Sequence, residues 1–248
     1  MSPTQFAKDL SRRLGFTVVR DSHAAAKYLR APSDQLFDLV LVRVFPSLHG
    51  LRFIQIGAND GVRCDPVRDK VLQYAWSGLL VEPLPPLFAE LRRNYAGCPG
   101  LEFRNVAVDA AAGARTIHFL RPGLSVPDWA HGLATFDLGR LQRTARELGR
   151  TDADILHEEI RTVTWDELLA STAEPRCDVL VVDAESHDIP ILRAAPLRRL
   201  RPRVIHFEHG CAAPADRLAF YGELIGLGYE LGTEGTDTTA WLPPVPPP

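Results

Sequence analysis

The sequence predicts an α/β protein built on a mostly parallel sheet with helices over both faces. Three observations carry that prediction. Short apolar runs at 52–56, 78–82, 101–106, 178–183 and 203–208 alternate with stretches whose apolar residues recur at helical spacing. Pro66 and Pro85 stand in the first turn of such stretches, where a missing N–H costs nothing. The first apolar run breaks into a loop carrying Gly57 and Gly61, and the second ends on Glu82, as in a βαβ unit.

Taken in order, residues 1–48 read as helical. Phe6, Leu10 and Leu14, then Leu36, Leu39, Val40 and Val44, fall at spacings of three and four, and Pro32-Ser33-Asp34 supplies a break and a cap. This segment is either a cover over the core or a surface through which two copies pair as a homodimer. A strand at 52–56, a helix at 65–74, a strand at 78–82, a helix at 85–94 and a strand at 101–106 follow, with an extra strand at 114–119. Pro122, Gly123, Pro127 and Gly132 mark a loop that leads to a helix at 138–148. The stretch from about 121 to 159 is therefore an insertion of the kind that forms lids and binding loops. After it come a strand at 160–164, a short helix at 165–169, the strongly apolar strand 178–183, a helix at 189–194, a strand at 203–208 and a helix at 214–227. A hairpin of 229–231 with 238–242 closes the main domain, 49–242. The Pro-rich tail 243–248 cannot enter a sheet interior. Trp76 and Trp165 read as core.

With 248 residues, 46% hydrophobic and 24% charged, the chain has the composition of an ordinary globular domain rather than a disordered or membrane protein. The net charge of −3 gives no electrostatic case for a nucleic-acid partner, and the arginines at 198–203 read as solvated charge. No apolar run approaches the roughly 20 residues that span a bilayer, so no membrane association is expected. Cysteines 64, 98, 177 and 211 are scattered, without a CxxC pair. Reduced thiols in a cytoplasmic protein are the expectation.

The loop and Glu82 together describe a crevice for a nucleoside. Glycines let backbone approach a ligand, and a carboxylate accepts hydrogen bonds from a ribose diol. A nicotinamide dinucleotide would require G-x-G-x-x-G at the start of a helix. The loop reads Gly57-Ala-Asn-Asp-Gly61 instead, and Asp60 would repel a pyrophosphate. A cofactor without phosphate and with a cationic centre, S-adenosylmethionine, fits better.

Phe53-Ile-Gln-Ile-Gly-Ala-Asn-Asp-Gly-Val-Arg-Cys-Asp-Pro66 and Trp76-Ser-Gly-Leu-Leu-Val-Glu-Pro83 resemble blocks of the FkbM family of S-adenosylmethionine-dependent methyltransferases. So do Phe103-Arg-Asn-Val-Ala-Val108, Thr164-Trp-Asp-Glu-Leu-Leu169, Asp178-Val-Leu-Val-Val-Asp-Ala-Glu-Ser-His-Asp188 and Arg203-Val-Ile-His-Phe-Glu-His209. The resemblance runs over roughly 50–210 in the family's order. It implies a class I methyltransferase (Rossmann-like) fold, with a doubly wound seven-stranded sheet whose last strand is antiparallel. It also implies methyl transfer to a hydroxyl of a sugar, glycan or secondary metabolite, with S-adenosylhomocysteine as product. Carried over by position, Gln55, Gly57, Ala58, Asn59 and Gly61 would line the cofactor loop. Glu82 with Pro83 would hold the ribose, Asn105 and Ala107 would lie at the adenine, and Asp183 near the methionine end. The family usually carries Glu-Gly after this aspartate, whereas here Glu185 is followed by Ser186.

A hydroxyl is a poor nucleophile near pH 7, so a general base or a metal is expected. His187, His209, Asp183 and Glu185 are the catalytic candidates at predicted strand ends. Asp183, Glu185 and Glu208 form an alternative set for Mg²⁺ or another divalent ion. Trp129, His131, Phe136 and Asp137 either line an acceptor pocket or belong to a surface loop. Two other functions stay open: methylation of a peptide carboxylate or amine, and a NAD-binding oxidoreductase.

Overall fold

Every residue of Arg52–Ile56 is buried, so this strand must find hydrogen-bond partners on both edges and apolar cover on both faces. That requirement organises the rest. The computed structural model describes residues 35–243. In chain order they form α1 (Gln35–Val44), β1 (Arg52–Ile56), α2 (Arg68–Tyr74), β2 (Ser77–Val81), α3 (Pro85–Asn94), β3 (Leu101–Arg104) and β4 (Ala107–Val108). Then come β5 (Gly113–Leu120), β6 (Ala134–Thr135), α4 (Leu138–Glu147), β7 (Ile155–Val163), α5 (Trp165–Ala170) and β8 (Val179–Val182). The chain continues through α6 (Asp188–Ala194), α7 (Leu197–Leu200), β9 (Val204–Glu208), α8 (Pro214–Gly226), β10 (Glu230–Glu234) and β11 (Asp237–Trp241).

The main sheet has seven strands in the order β3-β2-β1-β8-β9-β11-β10. All neighbours pair in parallel except β11, which runs antiparallel to β9 and to its hairpin partner β10. The predicted class is therefore the observed one: a doubly wound α/β sheet with its last strand reversed. Alternate residues of the strands feed two cores. Phe53, Leu80, Val179 and Val204 pack with Phe37 and Leu41 of α1, Val71 of α2 and Leu91 of α3. Ile54, Leu79, Leu180 and Phe207 pack with Trp165 of α5, Leu192 of α6 and Phe220 of α8. Each such buried side chain contributes roughly 1.5–3 kcal/mol. Trp76 and Trp165 are core residues whose indole N–H groups find carbonyls, of Leu48 at 2.6 Å and Ile191 at 2.9 Å.

On α1 the buried stripe is Phe37, Val40, Leu41 and Val44, whereas Leu39, expected on that face, is exposed. The helix expected around Phe6, Leu10 and Leu14, and the Pro32-Ser33-Asp34 cap, lie outside the described residues, as does all of the tail after Pro243.

The region around the expected insertion differs from the sequence reading. Four strands in the order β4-β7-β5-β6 make a second sheet. The strand expected at 160–164 is the end of β7, whose pairing with β5 extends back to Ile155 opposite Leu120. It lies outside the main sheet. Long β5 and β7 satisfy each other's backbone, and their polar outward residues gave too little apolar signal to reveal the full length. The strand expected at 101–106 ends at Arg104, because Asn105 turns its side chain onto the Glu82 and Pro83 carbonyls. The helix expected from 65 begins at Arg68, since the Asp65 carboxylate caps the Val67 N–H at 2.8 Å. None of the four cysteines forms a disulfide. Among the described residues no helix is long and apolar enough to cross a membrane.

Candidate active site

At the carboxyl ends of β1, β2 and β8 the strands diverge into loops and leave a cavity of about 700 Å³, the expected place for a ligand in a doubly wound sheet. The loop after β1 starts at Gly57, with φ +81°. Its N–H and that of Ala58 both donate to the Val81 carbonyl, at 2.9 and 3.0 Å. Asn59, also left-handed at φ +49°, turns its N–H to the Glu82 carboxylate at 3.0 Å. The Leu84 N–H donates to the other oxygen of Glu82 at 2.9 Å. Glu82 is 4% exposed. Burial pushes its carboxyl up to about 7, against the lowering effect of those two amides.

Gln55, Gly57, Ala58, Asn59, Glu82, Pro83, Ala107, Asp183 and Glu185 all line this cavity. Gln55 donates to Asp65 at 3.2 Å, and its side-chain oxygen is buried without a partner. Two expected cofactor residues do not line it. Gly61 is turned toward α3, where a Cβ would press on Tyr95 and Leu91. Asn105 is occupied behind the β2 end, donating to the Glu82 and Pro83 carbonyls at 2.8 and 2.9 Å. Asp60 is a turn residue, its carboxylate accepting from the Val62 and Arg63 N–H groups at 2.9 Å.

After β8 the backbone is unusual. Glu185 and Ser186 are consecutive left-handed residues, at φ +48° and +88°. Ser186, standing where the family usually has glycine, keeps the glycine-like conformation despite its side chain. The Glu185 carboxylate lies 3.1 Å from the Arg140 guanidinium, which also approaches Glu208 at 3.9 Å. Burial pushes Asp183 up to about 6 and Glu185 up to about 8, with Glu208 adding to both and Arg140 opposing. Asp188, one turn away, is raised by burial and by the Asp183 and Glu208 charges. Arg140 thus offsets a crowd of carboxyls. It comes from α4, whose N-cap Asp137 accepts from the Arg140 N–H at 2.9 Å. Sequence reasoning missed it, because Arg140 is one of several arginines on a helix and nothing in the spacing singled it out.

The two histidines expected as bases stand elsewhere. His187 precedes α6 with Nε2 3.3 Å from Asp109 and its ring against the edge of Phe136. Asp109 is in turn held by Arg115, which stacks on Phe136. His187 therefore ties the second sheet to the main one. His209 is buried, its Nδ1 2.9 Å from the Thr238 hydroxyl. Neither lines the cavity. The alternative metal set of Asp183, Glu185 and Glu208 gains no support. Among the described residues no three His, Cys, Asp or Glu groups gather to hold a metal, and the Arg140 cation is shared by Glu185 and Glu208. Of the insertion candidates, Trp129, His131 and Phe136 line the cavity, with Trp129 54% exposed. Asp137 is a helix cap.

The profile of the methyltransferase FkbM domain matches residues 55–229. Among solved structures the chain is similar to methyltransferase FkbM from Methylobacillus flagellatus KT, at 10% identity over 80% of this chain and 44% of that one, TM-score 0.49. It is also similar to the N-terminal domain of human METTL16 in complex with SAH, at 13% identity over 94% and 78%, TM-score 0.45. A third similar structure is precorrin-6y C5,15-methyltransferase from Geobacter metallireducens GS-15, at 14% identity over 83% and 86%, TM-score 0.43. No curated protein matches the chain in sequence.

Proposed function

The chain belongs to the FkbM family of methyltransferases and is a methyltransferase; from that premise we propose that it is an S-adenosylmethionine-dependent O-methyltransferase acting on a hydroxyl of a sugar, glycan or secondary metabolite. The observation that carries this reading is one cavity lined both by Glu82 and by the raised carboxyls of Asp183 and Glu185.

The residues fit this cofactor. Each Glu82 oxygen has accepted one amide hydrogen, which leaves a lone pair on each for a ribose diol. The partnerless Gln55 oxygen beside it offers another acceptor. Val106, Ala107, Val108 and Ile117 supply an apolar wall for a base. A pyrophosphate finds no support here: α2 begins only at Arg68, far beyond the glycine turn, and Asp60 and Asp65 intervene.

S-adenosylmethionine supplies a methyl group on a sulfonium centre. The chain must remove a proton from the acceptor hydroxyl and hold it in line. Glu185 suits the first task. Its Oε2 is held by Arg140, and Oε1 carries no hydrogen bond among the described residues. A carboxyl pushed up to about 8 holds a transferred proton far better than an ordinary glutamate.

Incubation with methyl-labelled S-adenosylmethionine and pools of glycans and hydroxylated metabolites tests the proposal. A mass gain of one methyl group on a hydroxyl, with thermal stabilisation by S-adenosylhomocysteine, is expected. Stabilisation by NAD instead, or label found only on carboxylates or amines, overturns it.

A further inference from the structure

The left-handed pair Glu185–Ser186 needs something to hold it. For non-glycine residues this backbone costs of order 1–3 kcal/mol each and persists only where the surroundings impose it. The restraint comes from the second sheet. Thr135, at the end of β6, is 2% exposed. Its hydroxyl donates to the Glu185 carbonyl at 2.8 Å. With its one proton spent there, its lone pairs accept from the Asp137 N–H at 3.1 Å and from the Ser186 hydroxyl at 3.1 Å. All of its hydrogen-bonding capacity is used. Asp137 in turn caps α4, and α4 carries Arg140 to the Glu185 carboxylate. The second sheet and the helix that follows β6 therefore grip Glu185 at both ends, its carbonyl through Thr135 and its carboxylate through Arg140 of α4.

We propose that Thr135 is a positioning residue, fixing the Glu185–Ser186 elbow and with it the direction in which Glu185 presents its carboxylate to the cavity. The Ser186 hydroxyl is part of the same device: it returns, as a hydrogen bond, some of what the missing glycine takes away. The catalytic consequence rests on Glu185 being the base; the conformational consequence does not.

The test uses Thr135→Val, Thr135→Ser and Ser186→Gly. In the cofactor-free protein, hydrogen exchange of the peptide spanning 183–188 should quicken in Thr135→Val, while β1 peptides keep their protection. Thr135→Ser should restore protection. In turnover, Thr135→Val should lower kcat by roughly 100-fold, the scale of a misplaced catalytic group, with KM for S-adenosylmethionine little changed. Ser186→Gly, which removes the strain at position 186 and leaves that at Glu185, should recover part of that loss in the double variant. Unchanged exchange at 183–188, or a kcat loss that neither serine nor glycine relieves, overturns the proposal. If Thr135→Val alone does not fold, recovery of folded protein in the Thr135→Val/Ser186→Gly double variant supports it, and failure there counts against it. Full activity in Glu185→Gln would reject the base reading and leave the exchange result standing.

Discussion

The carbonyl oxygen of Asp183 occupies the place where a side chain on Gly57 would have to go. A Cβ built on Gly57 overlaps it, and the Asp183 N–H donates to the Ile56 carbonyl at 2.9 Å, so β1 and β8 are drawn together just as their chains leave the sheet. Both atoms are backbone and cannot step aside. Here the glycine is required by strand spacing before any ligand is considered.

Gly57→Ala should therefore combine overpacking, about 1–3 kcal/mol, with a left-handed residue, roughly 1–2 kcal/mol. Gly50 is left-handed too, at φ +70°, but a Cβ there meets nothing. Gly50→Ala should show the conformational cost alone. Thermal unfolding of the two variants separates the contributions: the drop in Tm should be roughly 1.5 to 4 times as large at position 57.

Stability should fall as pH rises from about 4 to 8. Glu82, Asp183 and Glu185 all have folded pKa values above their ordinary ones, at about 7, 6 and 8. Across that window the folded chain binds more protons than the unfolded one, so raising pH favours unfolding. For Glu82 alone, burial moving it from 4.5 to about 7 corresponds to about 3 kcal/mol. Glu82→Gln should flatten the Tm–pH curve between pH 5 and 8, and calorimetry should show at least roughly tenfold weaker binding of S-adenosylhomocysteine, one hydrogen bond to a charged acceptor being worth about 1.5–3 kcal/mol.

Removing both histidines distinguishes contact with the cavity from proximity in sequence. His187→Asn and His209→Gln together should leave kcat within a few-fold, because neither ring lines the cavity. Glu185→Gln should lower kcat by about 10²–10⁴, the range of a lost general base. The opposite ranking in steady-state kinetics would return the role to imidazole.

How much of this was legible depends on how far apart in sequence the partners lie. Gly57 and Glu82 were legible because the fold rules of a βαβ unit convert their spacing into adjacency. His187 and His209 misled for a related reason: position at a strand end fixes where a Cα lies, not where the side chain turns, and Asp109 and Thr238 capture these two. Arg140 and Thr135 were illegible. They reach Glu185 across 45 and 50 residues of chain through a second sheet whose strands are half polar and carry little apolar signal.

Arg140 provides the sharpest test of the charge balance. It is the cation that opposes the upward push on Asp183 and Glu185, and its Nη1 is buried without a partner. Arg140→Met removes the charge while keeping an apolar stem, so both carboxyls should rise further and hold their protons to higher pH. If Glu185 must be ionised to accept a proton, the ascending limb of the kcat–pH profile should move upward by about one pH unit or more, since one unit corresponds to only 1.36 kcal/mol and a partly buried pair is worth at least that. Stability should respond in the same sense, with the variant losing more Tm at pH 8 than at pH 6, because ionising the crowd has become more costly. Arg140→Lys should fall between, restoring the charge but as a compact ammonium on a shorter-reaching, more flexible stem than the guanidinium whose Nη2 faces Glu185 and Glu208. A limb that stays in place in Arg140→Met while kcat merely drops would show that the titrating base lies outside the reach of Arg140.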